Sequence, residues 1–139
     1  MVGGVVVDNS VLMPLFAPDE DAKYSERVLR SAQAGTRLLA PAFCMVEFGN
    51  AVLSCMRRKR MTQGEAWAAL EELEAMPIEF SPGAVFRELS PTHAVAVNTG
   101  LSFYDATYLM LAMTKSARLA TLDGALRKAA EKQGVEVFV

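Results

Sequence analysis

Asp8 and Asp123 each follow a short apolar run, in Val5-Val6-Val7-Asp8 and Leu119-Ala120-Thr121-Leu122-Asp123. They are two of only five aspartates in the chain. Two further acids stand inside apolar helical patterns. Glu47 is the only charge between Ala40 and Met56, and Asp105 lies in Phe103-Tyr104-Asp105-Ala106-Thr107-Tyr108-Leu109. A carboxylate taken out of water needs a partner. Four carboxylates drawn together repel one another and raise some of their pKa values, and a hard divalent cation relieves that repulsion. An all-oxygen set suits Mg2+ or Mn2+. Such an ion both neutralises a scissile phosphate and activates water, which is the chemistry of phosphodiester hydrolysis.

Each acid also has a plainer reading. Asp8 and Asp123 are good N-caps for whatever helix follows. Asp105 comes three residues after Ser102, so the pair resembles a capping box. Glu47 shares a helix side with Asn50 and Ser54, beside an apolar stripe of Cys44, Phe48, Ala51, Val52 and Cys55, and this makes Asn50 a candidate support for Glu47.

The elements that would position these residues alternate along the chain. Short apolar stretches at 5–7, 37–40, 78–80, 118–122 and 135–139 read as five strands. Helical patterns span roughly 20–34, 43–59, 62–76, 84–99, 103–115 and 124–133. Thr62-Gln63-Gly64-Glu65 fits a capping box, and Gly35, Gly100 and Gly134 stand where helices end. The alternation predicts one α/β domain over residues 1–139, built on a mostly parallel sheet covered by helices. The helical pair from 43 to 76 has no strand between its members and is expected to project from the core. In such sheets the functional crevice lies beyond the carboxyl ends of the strands, where strand order reverses. That is where Asp8 and Asp123 would fall.

Composition narrows the possibilities. With 52% hydrophobic and 22% charged residues, the 139-residue chain has the make-up of a compact globular domain. No run approaches the roughly 20 apolar residues of a membrane span, and the start has no basic leader, so a cytoplasmic location is expected. Cys44 and Cys55 form no CxxC, and His93 is the only imidazole, so neither zinc nor a disulfide framework is indicated. Without the four candidate acids, the formal charge of −2 becomes +2, compatible with a polyanionic ligand once a cation fills the site. Arg57-Arg58-Lys59-Arg60 is the one dense basic run, suited to phosphate contacts or simply to a solvated helix end.

The ordered set Val7-Asp8-Asn9-Ser10, Glu47-x-x-Asn50 after Pro41, Tyr104-Asp105-Ala106 with Tyr108, and Thr121-Leu122-Asp123 resembles the PIN-domain ribonucleases. Within them it is most similar to the VapC-type toxins of toxin-antitoxin pairs. The resemblance spans nearly the whole chain and implies a three-layer α/β/α sandwich with a five-stranded sheet, its first and fourth strands side by side. It makes Asp8, Glu47, Asp105 and Asp123 the ligands of one or two Mg2+ or Mn2+ ions, with Ser10 and Thr121 as supporting hydroxyls. It further implies in-line attack of water on RNA with 3'-hydroxyl and 5'-phosphate products, a homodimer, and an antitoxin whose C-terminal segment covers the acids. Asn9, at a position often held by a small residue, and Phe103, in a variable loop, are minor departures. Other readings fit less well. A receiver domain would want an acidic pair at Asn9-Ser10, and a haloacid-dehalogenase-type phosphatase a second aspartate at Ser10. A PIN module that only binds RNA or a protein, or one that processes RNA without being a toxin, stays open.

Overall fold

A computed structural model describes residues 3–82 and 88–139. Strand β1 (Val5–Val7) leads through α1 (Asn9–Leu12) and a 3-10 turn at Met13–Leu15 to α2 (Lys23–Gln33), and then to β2 (Leu38–Pro41). Helices α3 (Phe43–Arg57) and α4 (Gln63–Ala75) precede β3 (Ile78–Ser81). The chain continues through α5 (Leu89–Thr99), α6 (Phe103–Lys115), β4 (Arg118–Ala120) and α7 (Gly124–Lys132). The first positions of the helix expected at 84–99 lie outside the described residues.

The sheet is parallel, in the order β3-β2-β1-β4. It therefore has four strands rather than the expected five. The stretch 135–139 does run beside β4, but it forms a single bridge, Leu119 to Val137. The Phe138 carbonyl accepts the Tyr24 hydroxyl at 2.6 Å instead of extending a ladder. β4 also stops two residues before the expected Leu122, because its partner β1 ends at Val7, opposite Ala120.

All three β1 valines are 0% exposed. Successive strand side chains point to opposite faces, so both faces of the sheet are covered. Burying three valines contributes roughly 4–9 kcal/mol at most. Helix α6 packs on β1, β2 and β4. Its buried side, Ala106, Thr107, Tyr108, Leu109 and Ala112, excludes water, whereas Phe103, Tyr104 and Met113 remain exposed, so this largely apolar helix is buried on one side only. Within the α3/α4 pair, α4 packs chiefly on α3, and α3 carries the pair's contact with the rest of the domain. Cys44, Phe48, Val52 and Cys55 of α3 and Ala66, Ala69 and Leu73 of α4 join the one core. The Thr62–Glu65 capping box forms in both directions.

β1 enters the sheet through Gly3 and Gly4. Gly4 has φ +103°, and a Cβ there would stand 2.4 Å from the Arg37 carbonyl oxygen. That close approach lets Val5 N bond the same carbonyl at 2.8 Å and sets the β1/β2 register.

Candidate active site

The register that pairs Val7 with Ala120 places Asp8 beside Thr121. Asp8 is 7% exposed and Thr121 0%. Asp8 occupies the N-cap position of α1 without capping it. Its carboxylate accepts the Thr121 hydroxyl at 2.6 Å on Oδ2 and the Ser10 hydroxyl on Oδ1. A hydroxyl has one proton and two lone pairs. Both hydroxyls therefore also accept amides from the β4–α7 loop: Leu122 N to Ser10 Oγ at 2.8 Å and Asp123 N to Thr121 Oγ1 at 3.1 Å. The loop that carries Asp123 is thus tied to Asp8 through Ser10 and Thr121.

Asp123 is exposed and does cap α7, accepting Leu126 N at 3.0 Å on Oδ1. Capping and membership of an acidic cluster are compatible. Burial pushes the Asp105 carboxyl above its usual range, and the charge of Asp123 pushes it further, while Ser102 works in the opposite direction. The Ser102 hydroxyl accepts Asp105 N at 3.1 Å. Burial likewise raises Asp8, against the hydrogen bonds from Ser10 and Thr121, with a smaller push from Asp105. Asp8, Asp105 and Asp123 are therefore close enough for their charges to interact. Among the described residues no cation pairs with any of the four acids; the ion pairs are Arg37 with Glu79 and Arg60 with Asp19 and Glu20.

Glu47 is held from α6. The Tyr108 hydroxyl donates to its Oε1 at 2.7 Å, and burial keeps that phenol well above the ordinary range, so it stays a donor. Asn50, expected to support Glu47, is exposed and forms no side-chain hydrogen bond among the described residues. The adjacent Cys44 thiol, pushed up to about 11 by burial, offers no thiolate at neutral pH. Arg60 forks onto Asp19 at 2.8 and 3.0 Å, which leaves Arg57, Arg58 and Lys59 as the open part of the basic run. These begin ten residues beyond Glu47, roughly 15 Å along α3.

The donor chemistry fits a divalent cation. The groups are hard oxygens that raise one another's pKa values and have no counter-charge among the described residues; Asp8, Asp105 and Asp123 would hold it, whereas Glu47 meets only Tyr108. The ligand geometry is not closed: among the described residues no three His, Cys, Asp or Glu side chains stand together as a ready cation site.

Of two supporting residues, Tyr108 stands in the sequence motif without a role there, and Arg127 escaped the sequence reading. Tyr108 follows Asp105 by three positions, and that spacing puts both on one face of α6. Arg127, one turn after Asp123, donates through Nε to the Thr121 carbonyl at 2.7 Å and lies over the Tyr24 ring at 5.1 Å, so it fixes the loop from behind. Nothing in the sequence announces that last contact.

The family signature of the PIN domain matches residues 5–132. The chain belongs to the PIN-domain family. It is 32% identical over 128 residues, 92% of this chain and 93% of the relative, to Ribonuclease VapC3 of Pyrobaculum aerophilum. The crystal structure of PAE2754 from Pyrobaculum aerophilum superposes with a TM-score of 0.69 at 25% identity, covering 91% of this chain and 84% of that one. Two further crystal structures share the fold. VapC20 of Mycobacterium tuberculosis, a sarcin-ricin loop cleaving toxin, gives a TM-score of 0.66 at 18% identity over 90% of this PIN chain and 94% of its own. FitAcB of Neisseria gonorrhoeae gives 0.64 at 19% identity over 97% and 96%.

Proposed function

We propose that this PIN domain is a divalent-metal-dependent endoribonuclease and the toxin of a VapBC-type pair. What supports the chemistry is that Asp8 at the end of β1 is tied through Ser10 and Thr121 to the loop of Asp123 beyond β4, and that Asp105 on α6 feels Asp123 and acts on Asp8, with no cation paired to these acids among the described residues. The likeness to Ribonuclease VapC3 supports RNA as the substrate. Mg2+ or Mn2+ bound there, one ion or two, would supply charge neutralisation and an activated water. Ser10 and Thr121 would keep Asp8 oriented, and Tyr108 would keep Glu47 turned inward. Arg57, Arg58 and Lys59 would contact RNA phosphates away from the site. The family also favours a homodimer and a cognate antitoxin that places a basic side chain among the acids. No helix among the described residues is long and apolar enough to cross a membrane.

The test is cleavage of single-stranded and structured RNA with Mg2+ or Mn2+, comparing the native chain with Asp105→Asn. Losing a residue that merely orients a metal ligand costs about 10–100-fold, so Asp105→Asn is expected to cost more than roughly 100-fold. Cleavage that survives EDTA, or equal rates for the two proteins, would sink the mechanism. Growth arrest on expression, relieved by a small co-expressed neighbour, is the expected outcome for a toxin. Harmless expression of an active nuclease would instead mark an RNA-processing enzyme.

A further inference from the structure

Tyr104 immediately precedes Asp105 at the start of α6 and is 63% exposed. A large aromatic ring gains much from burial, and Tyr104 forgoes most of that gain. The ring is nevertheless fixed. Phe43 meets it edge-on, with centroids 5.4 Å apart and planes at 72°. Phe43 is braced in turn at 5.4 Å by Tyr108, which is 2% exposed and bonded to Glu47. A chain of edge-to-face aromatic contacts thus runs from Tyr108, bonded to Glu47, out to an open ring supported on one side.

We propose that Tyr104, backed by Phe43, is a stacking platform for an unpaired base of the RNA strand, next to the phosphate being cut. The proposal rests on the ribonuclease reading of the carboxylates and adds to it a source of substrate affinity and a preference for unpaired RNA. A cation held by the carboxylates would attract any phosphate, paired or unpaired, so a preference for unpaired RNA has to come from elsewhere. Stacking needs no charge and works with every base, since every base has a π-face. The open cations Arg57, Arg58 and Lys59 begin roughly 15 Å from Glu47 along α3, a few nucleotides of an unpaired strand, so they can hold the backbone while Tyr104 holds a base near the cut. A base can reach the ring only when it is out of a duplex. Phe43 and Tyr108 connect the ring to Glu47, a candidate metal ligand, and this link to the acidic site favours a nucleobase over an apolar peptide side chain as the occupant.

The experiment uses a short single-stranded RNA with 2-aminopurine next to the cut position, and a duplex of the same sequence. Stacking quenches 2-aminopurine fluorescence, which reports on the platform whether or not the strand is cleaved. The expected result is quenching by the native protein that Tyr104→Phe retains and Tyr104→Ala loses. Tyr104→Ala should also raise KM on the single strand about 5- to 150-fold, equivalent to about 1–3 kcal/mol, with kcat much less affected. Circular dichroism of both variants establishes that they are folded. No quenching by the native protein, or equal quenching by Tyr104→Ala, overturns the platform even if RNA is cleaved. Quenching without cleavage would overturn the ribonuclease reading alone. If Tyr104→Ala instead abolishes binding of the co-expressed antitoxin while KM for RNA is unchanged, the ring belongs to a protein interface and the platform is overturned.

Discussion

Thr121 has a single hydroxyl proton, and that proton goes to Asp8 while the same oxygen receives the amide of Asp123. One side chain therefore joins two candidate metal ligands that are 115 positions apart in sequence. Thr121→Val keeps the shape and removes both bonds inside a fully buried pocket. The expected cost is about 1–3 kcal/mol of stability, as for a buried polar group left unpaired. Metal affinity or activity should fall about 10–100-fold, as when a residue that orients a ligand is lost. Thr121→Ser should recover most of both, because it restores the donor and the acceptor. Thermal unfolding and cleavage rates read the two effects separately. A Thr121→Val enzyme with native activity would show that Asp8 does not need this orientation.

At the scale of elements, the site depends on β1 lying between β2 and β4, and β1 reaches that place through a backbone approach only glycine permits. Gly4→Ala would put a Cβ 2.4 Å from the Arg37 carbonyl oxygen at a φ of +103°. Left-handed geometry alone costs a residue with a Cβ roughly 1–2 kcal/mol, and the backbone collision adds to it. The variant should therefore lose at least about 2 kcal/mol by denaturant unfolding, and unchanged stability would mean that β1 can enter by another path. Much of this architecture was legible in the sequence. β-Branched runs and helical spacing located the strands and helices, and two strand-end aspartates pointed to the functional edge. The fifth strand was misread because Val135-Glu136-Val137-Phe138-Val139 alternates like a strand, whereas Tyr24 takes the carbonyl of Phe138. Asn50 was expected beside Glu47 from spacing on its own helix, but the partner proved to be Tyr108 on another helix, a tertiary contact that periodicity cannot see. The order of the strands came from family resemblance, since pattern alone does not pair β1 with β4.

For the molecule as a whole, the acidic site opposes stability in the absence of a cation. Asp8 and Asp105 titrate above the usual 3.8 in the folded chain, chiefly because they are buried. Between 3.8 and the raised values the folded state holds more protons than the unfolded state, so the contribution of these two groups falls as pH rises through that window. Above the window both acids are charged, and the full penalty remains at neutral pH. Asp19 and Glu79 behave oppositely. Their carboxyls are lowered beside Arg60 and Arg37, so the stability they add is present at neutral pH and lost as pH falls through their folded values. Comparison with Asp105→Asn isolates the site from these surface pairs. Cation-free Asp105→Asn should unfold near the native temperature below pH 3.8 and above it at about pH 7, where only the native chain carries the repelled charge. Adding Mg2+ or Mn2+ at neutral pH should reverse the order. A cation at 100 times its dissociation constant stabilises the native chain by about 2.7 kcal/mol, which for a domain of this size is a rise of roughly 5–10 °C. Asp105→Asn should respond much less, and the native response should shrink as pH falls and the ligands protonate. A native melting temperature indifferent to both ions at neutral pH would mean that the three aspartates meet for some reason other than holding a metal.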